Sequence, residues 1–226
     1  YSTITCVKNI MTDFLIRQDH KKLEIKSKKK VIEFLSSQQT GRISSIDENG
    51  FPQIIPMNFV FINDAVYMHS HIRGEKLDNI RRNQKVGFEV DKSLEFLPSY
   101  FSDPTDASLA DTLYISVVIK GNGSIVSDKK EKTIALNGLM KKYQPEGGYE
   151  PIKPDMDVLK GVEVIKIVPE SLTGKYKIGQ NMDMKSRIDL AKQILERNSP
   201  TAKETLDIMG FKIIDDELKL IDDTPW

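Results

Sequence analysis

The sequence predicts a mainly β, α+β fold: about six short antiparallel strands forming a small barrel, with helices inserted between them. Three observations carry that reading. Runs rich in β-branched and aromatic residues recur between Arg42 and Val168, several of them separated by turn residues. Helical spacing enters only at intervals and never alternates strand for helix, so a doubly wound parallel sheet is not expected. Gly121 and Gly123 sit inside the longest strand run, where a bulge or bend lets a sheet curl.

Taken in order, residues 1–26 show no clear period, and the basic stretch from Lys21 to Lys30, interrupted by Glu24, reads as a solvated approach to the first helix. Ser27 is a candidate cap for that helix, with Val31, Ile32 and Leu35 on one face. Residues 42–46, 53–62 and 65–71 read as an antiparallel meander, turned at Glu48-Asn49-Gly50 and at Asn63-Asp64. A short helix over 74–82 turns Leu77 and Ile80 inward, and 86–90 is a further strand. Residues 92–111 carry two prolines with several serines and aspartates, and read as a long loop of the kind that is often functional.

The strand over 112–126 alternates Ile115, Val117 and Ile119 with Tyr114, Ser116 and Val118. Asp128 and Glu131 have the spacing of a capping box, the helix after them buries Leu136, Leu139, Met140 and Tyr143, and Pro145 stops it. Residues 145–160 are a connection rich in Gly and Pro, and 162–168 is the last core strand, closed by Pro169. Helical spacing returns at Ile188, Ala191 and Leu195; Ser199-Pro200 opens a second helix that Gly210 ends. The acidic end (Asp215, Asp216, Glu217, Asp222, Asp223) reads as solvated. This divides the chain into a lead segment, 1–27, a barrel, 28–180, and a C-terminal helical extension, 181–226.

Composition excludes several function classes. The 33 basic residues balance 33 acidic ones, so nothing asks for a polyanionic partner. The short run Arg81, Arg82, Lys85 lacks the aromatics of a nucleic-acid surface. One cysteine, Cys6, permits neither an internal disulfide nor a cysteine metal cluster, and fits a reducing, cytoplasmic compartment. No apolar run nears the ~18 residues of a membrane span. Three histidines without carboxylates at ligand spacing argue against a zinc hydrolase, and no metal is expected. Neither a dinucleotide fingerprint, a P-loop nor a Gly-x-Ser-x-Gly elbow is present.

The most informative segment runs from Tyr67 to Lys76, where a strand ends and a helix starts. A helix N-terminus offers unpaired N–H groups and partial positive charge, which suits a phosphate. His69, Ser70 and His71 add donors, Gly74 permits close approach, and Lys76 adds a full charge. The other reading of the same residues is a polar turn with exposed histidines.

Gly41-Arg42-Ile43, Asn49-Gly50-Phe51-Pro52, Pro56-Met57-Asn58-Phe59-Val60, the His69–Lys76 segment and Leu77-Asp78-Asn79 then follow a familiar order. Tyr114-Ile115-Ser116-Val117-Val118 with Gly121, Asp128, Glu131-Lys132, Tyr143-Gln144-Pro145-Glu146-Gly147-Gly148-Tyr149 and Thr173-Gly174-Lys175 continue it. Over about 28–180 the chain resembles the FMN-binding, six-stranded split-barrel proteins related to pyridoxamine 5′-phosphate oxidase, in the subgroup of nitroimidazole-resistance and flavin-nucleotide-binding proteins.

The resemblance implies FMN as cofactor, with the ring along the second strand at Gln53, Ile55, Pro56, Met57 and Asn58, and the phosphate at His69, Ser70 and Lys76. It implies a homodimer with the flavin at the subunit interface, the second subunit contributing Tyr114 and Ser116. Tyr114 reads equally as a barrel-face aromatic. Lys175-Tyr176-Lys177-Ile178-Gly179-Gln180-Asn181 is similar to a cofactor-proximal stretch of another split-barrel branch, which adds Lys175 and Gln180; a lysine-rich surface turn is the alternative. Gln53 and Asn58 stand where true pyridoxamine phosphate oxidases carry arginine and lysine, so vitamin B6 oxidation is not implied. The expected function is FMN-dependent oxidation or reduction of a small molecule by an unidentified catalytic group, with His71 a candidate proton donor. A non-catalytic FMN sensor using the C-terminal helices, and a haem protein using His69, His71 or His20, are the alternatives.

Overall fold

The computed structural model describes residues 23–215 and 217–222; Cys6, His20, Asp216 and Asp223 lie outside the described residues. Its first half contains α1 (Lys28–Ser37), β1 (Gly41–Ile46), β2 (Pro52–Met57), β3 (Val60–Ile62), β4 (Ala65–His71), α2 (Glu75–Arg82) and β5 (Lys85–Leu97). Its second half contains β6 (Asp111–Ile125), α3 (Lys129–Tyr143), β7 (Val162–Lys177), α4 (Met184–Arg197), α5 (Ala202–Ile208), β8 (Phe211–Ile214) and β9 (Glu217–Leu220).

The fold is mainly β with helices, as expected, but its sheet has seven strands rather than six, in the order β2-β1-β5-β6-β7-β4-β3. Every neighbouring pair is antiparallel. The two edge strands, β2 and β3, do not pair with each other, so the sheet is not closed by hydrogen bonds. The seventh strand comes from the run over 53–62, which breaks at Asn58-Phe59. Phe59 is fully buried against Phe88, and its N–H donates to the Tyr143 hydroxyl at 2.8 Å instead of entering a ladder. That side-chain acceptor ends β2 and lets the chain cross to the opposite edge as β3.

Three further boundaries differ from expectation. β5 continues to Leu97 opposite Asp111–Tyr114, so the predicted loop over 92–111 shrinks to the segment beyond Leu97; a bulge between Ser93 and Glu95 absorbs the polar residues. β7 continues through Pro169 to Lys177. Pro169 sits where the β6–β7 register shifts at Lys120/Gly121, a place where a missing N–H is tolerated. Phe211–Ile214 and Glu217–Leu220 pair as the antiparallel strands β8 and β9 rather than a tail, with Asp215 in the left-handed region at φ 54°.

The caps at Ser27 and Asp128 form as expected, accepting from Lys30 N at 3.3 Å and Glu131 N at 2.8 Å. Ser199 does not cap the last helix. Thr201 precedes α5, and the Ser199 hydroxyl donates to Glu95 instead, at 2.5 Å.

Two apolar clusters result. The larger buries Ile43, Phe88, Ile115, Val117, Ile119, Val66 and Met68 under residues of α1, α2, α4 and α5. The smaller packs Ala135, Leu136 and Leu139 of α3 on Val60, Tyr67 and Val164. No helix among the described residues is long and apolar enough to cross a membrane.

Candidate functional site

The predicted site residues fall into two groups. The first lies where β4 meets α2 and along the β2 edge. Alternation along β4 puts Val66, Met68 and Ser70 on the side of the larger core, and His69 and His71 on the other, where both are exposed. The histidines and the serine therefore do not converge as a trio. Ser70 is 5% exposed, and its hydroxyl has no hydrogen-bond partner among the described residues. Its cross-strand neighbour is Glu163, which accepts from Lys132 Nζ at 3.1 Å, a lysine that is itself buried. Lys132 escaped sequence reasoning because its position in the first turn of a helix reads as solvated surface.

Gly74 precedes α2 at φ 149°, ψ 149°, a conformation that strains any residue with a Cβ, and it brings no capping side chain. Its carbonyl accepts from Leu77 N at 2.9 Å, so the first turn closes while its outermost N–H groups have no side-chain cap. Lys76 is half-buried at that terminus and has no ion pair among the described residues. His71 Nδ1 accepts from the N–H of Arg73 at 3.2 Å, which fixes the turn.

β2 is an edge strand, so one line of its backbone groups is unpaired. Gln53, Ile55 and Met57 face inward, Ile55 and Met57 packing on the core, while Pro56 faces out and Asn58 is exposed at the strand end. Asn79 of α2, 1% exposed, donates to Ser45 Oγ and to Gln53 Oε1, each at 3.3 Å. Arg82 donates to Asn79 Oδ1 at 2.7 Å. The helix that starts at Gly74 is thereby tied to the predicted ring-binding strand.

The second group lies on the outward face of β5, β6 and β7. Ser116 stands between Asp91 and Lys175, and Tyr114 is paired with Lys177. Lys177 bonds Asp111, and Arg42 bridges Glu89 and Asp91. Asp91 is the main cause that raises the Arg42 pKa, while burial and the Asp91 charge push the Glu89 carboxyl up. Gln180 accepts from Ile178 N at 3.0 Å and donates to Tyr176 O at 2.9 Å, so its amide closes its own turn. Within one chain the structure does not join this group to the β4–α2 corner.

Beside the corner, Tyr67 Oη and Lys166 Nζ both donate to Glu131 Oε1, at 2.8 and 2.6 Å. Lys166, then Tyr67, hold the Glu131 carboxyl below its usual range, and burial raises the Tyr67 phenol. Each polar group in that trio has a partner, so it reads as the clasp of α3 on β4 and β7. No cluster of His, Cys, Asp and Glu able to hold a metal ion exists among the described residues.

A family model described as pyridoxamine 5′-phosphate oxidase matches residues 27–176. Among solved structures, a putative 5-nitroimidazole antibiotic resistance protein from Bacteroides thetaiotaomicron is similar at 22% identity and TM-score 0.58, over 68% of this chain and 86% of that one. A flavocytochrome from Azotobacter vinelandii is similar at 18% identity and TM-score 0.60, over 72% of each chain. The FAD and heme binding protein from Mycobacterium smegmatis is similar at 12% identity and TM-score 0.59, over 74% and 79%. At these identities the likeness is one of fold. No curated protein matches the chain.

Proposed function

The chain belongs to the pyridoxamine 5′-phosphate oxidase family, and from that premise we propose that it binds FMN and serves as an oxidoreductase for a small molecule. The observation that carries this reading is the corner at Ser70: a buried hydroxyl without a partner stands at the end of the strand that leads into an uncapped helix terminus. Such a terminus with Lys76 beside it has the donors and the charge that a phosphate requires. The unpaired backbone edge of β2 suits the hydrogen-bonding rim of a planar ring.

Bound flavin would supply the hydride or electron transfer, and the protein supplies position and electrostatics. Ser70, Lys76 and the first N–H groups of α2 hold the phosphate. Asn79 and Gln53 fix the distance between phosphate corner and ring strand. Gln53 and Asn58 place no cation over the ring, which separates this site from the arginine- and lysine-bearing pattern of vitamin B6 oxidases.

We extend the proposal to a homodimer. Tyr114, Ser116 and Lys175 lie apart from the corner within one chain, on a face that leaves Ile54 63% and Val118 39% exposed. A second copy packed on that face would cover both apolar side chains and bring its own Tyr114 and Ser116 toward the flavin. The apolar sides of α4 and α5 are buried in the larger core, which supports the enzyme reading over one in which these sides meet a regulatory partner.

The test is a visible spectrum of the purified protein before and after adding FMN and removing the excess. A retained flavin spectrum, followed by consumption of reduced nicotinamide with an electron acceptor, supports the proposal. A sharp haem band, or a protein that does not retain FMN, overturns it. Sedimentation decides the dimer separately.

A further inference from the structure

A cleft of about 670 Å³ opens between the segment from Leu97 to Asp111 and helix α4. That volume is in the range of small-ligand sites. Leu97, Phe101, Leu109 and Leu190 give it an apolar body, and Asp111 and Asp189 give it two carboxylates, with no lysine, arginine or histidine in its lining. Lys177 neutralises Asp111 from outside the cleft. The Asp189 carboxylate has neither hydrogen bond nor ion pair among the described residues. The cleft therefore combines apolar walls with one carboxylate that has no ion pair among the described residues.

Its walls are fixed. Gln193 Nε2 of α4 donates to Phe101 O of the facing segment at 2.8 Å. At the end of α4, Arg197 donates to the buried Glu95 carboxylate at 2.8 Å, and Ser199 and Thr201 donate to the same group at 2.5 and 2.7 Å. A site held open in this way loses little entropy when it is filled. Asp189, Leu190 and Gln193 all lie beyond residue 176, where the family match ends, so one wall of the cleft comes from this chain's C-terminal extension.

We propose that this cleft binds a small organic ammonium compound, its apolar part against Phe101, Leu109 and Leu190 and its cation at Asp189. The site is separate from the proposed flavin corner and does not depend on it. 3-Phenylpropylammonium, 3-phenylpropan-1-ol and 3-phenylpropionate are probes of similar size that differ in charge. Calorimetric titration of the full chain, with and without FMN present, should show the amine binding ~2–5-fold more tightly than the alcohol, as expected for one partly screened ion pair, and the carboxylate not binding. Asp189→Asn, at an exposed position, should remove that preference, and Ala110→Trp should block both the amine and the alcohol by filling the cleft. Equal binding of amine and alcohol, binding of the carboxylate, or an unchanged amine affinity in Asp189→Asn overturns the proposal. Because heat is read directly, a protein that takes the amine but no flavin would overturn only the flavin reading, and the reverse result only this one.

Discussion

Asn79 Nδ2 lies 3.3 Å from Gln53 Oε1, which makes one buried amide a link between the helix at the proposed phosphate corner and the edge strand proposed for the ring. Asn79 also donates to Ser45 and accepts from Arg82, so removing it strands three polar groups. Asn79→Ala should cost about 1–3 kcal/mol of folding stability, measured by urea denaturation. It should also weaken FMN binding although Asn79 is a positioning residue and touches no flavin atom in the proposal. Unchanged flavin affinity in a destabilised variant would mean that the two parts of the site are not coupled through α2.

Lys76→Ala tests the corner itself. Loss of one charge-assisted phosphate contact should cost roughly 1.5–3 kcal/mol of FMN affinity. Folding stability should stay within about 0.5 kcal/mol, because Lys76 has no ion pair among the described residues to lose. Lys76→Arg should recover part of the affinity. Equal FMN affinity in all three proteins would remove the phosphate corner.

What the sequence made legible was local. The caps at Ser27 and Asp128, the helix at 75–82 and the irregularity at Gly121 are set by residues within a few positions of each other, and each formed. What it concealed was decided across the chain. Phe59 leaves the strand for the hydroxyl of Tyr143, 84 residues away. Glu95 reads as a loop carboxylate, yet it is 2% exposed and its partners lie more than 100 residues on. The candidate corner was legible as a composition of donors, but the period-2 alternation of β4 separates Ser70 from His69 and His71, and Lys132 arrives from another element. No local pattern encodes that arrival.

A Cβ added at Gly121 would stand 2.3 Å from the carbonyl oxygen of Val168, at the point where β6 and β7 change register. Backbone cannot yield there as a side-chain tip can. Gly121→Ala should therefore cost about 2–4 kcal/mol. Gly161→Ala, whose added carbon would come no closer than 3.7 Å to Val158 O, should be nearly neutral. Thermal melts of the two variants make the comparison, and equal melting temperatures would mean that the bulge relaxes freely.

Glu95 ties the C-terminal helices to β5. Glu95→Ala leaves Arg197, Ser199 and Thr201 without their shared acceptor, and should cost about 1.5–3 kcal/mol, the range for hydrogen bonds to a charged group. Limited proteolysis should then cut between α4 and α5 well before the barrel. Uniform resistance of the variant would show that apolar packing alone holds the extension.

Lys142 supplies a pH signature. Its Nζ lies 3.6 Å from the centre of the Phe59 ring and donates to Leu35 O at 3.1 Å, and burial lowers its pKa from the ordinary 10.5 to about 8. Below pH 8 folded and unfolded chains both hold the proton, and the folded chain bears the whole cost of a buried cation. Between about 8 and 10.5 the unfolded chain keeps the proton that the folded chain has released. Stability then rises with pH, because the unfolded state binds more protons. Above 10.5 the cost is gone. Lys142→Met keeps the volume over Phe59 without the charge, so it should stabilise the protein near neutrality by roughly 1 kcal/mol, after discounting for solvent screening of a partly exposed amine. That advantage should shrink steadily from pH 8 to 10.5. Denaturant titrations of parent and variant at several pH values cancel the other lysines, and a difference that stays flat across the window would show that Lys142 titrates as it does in water.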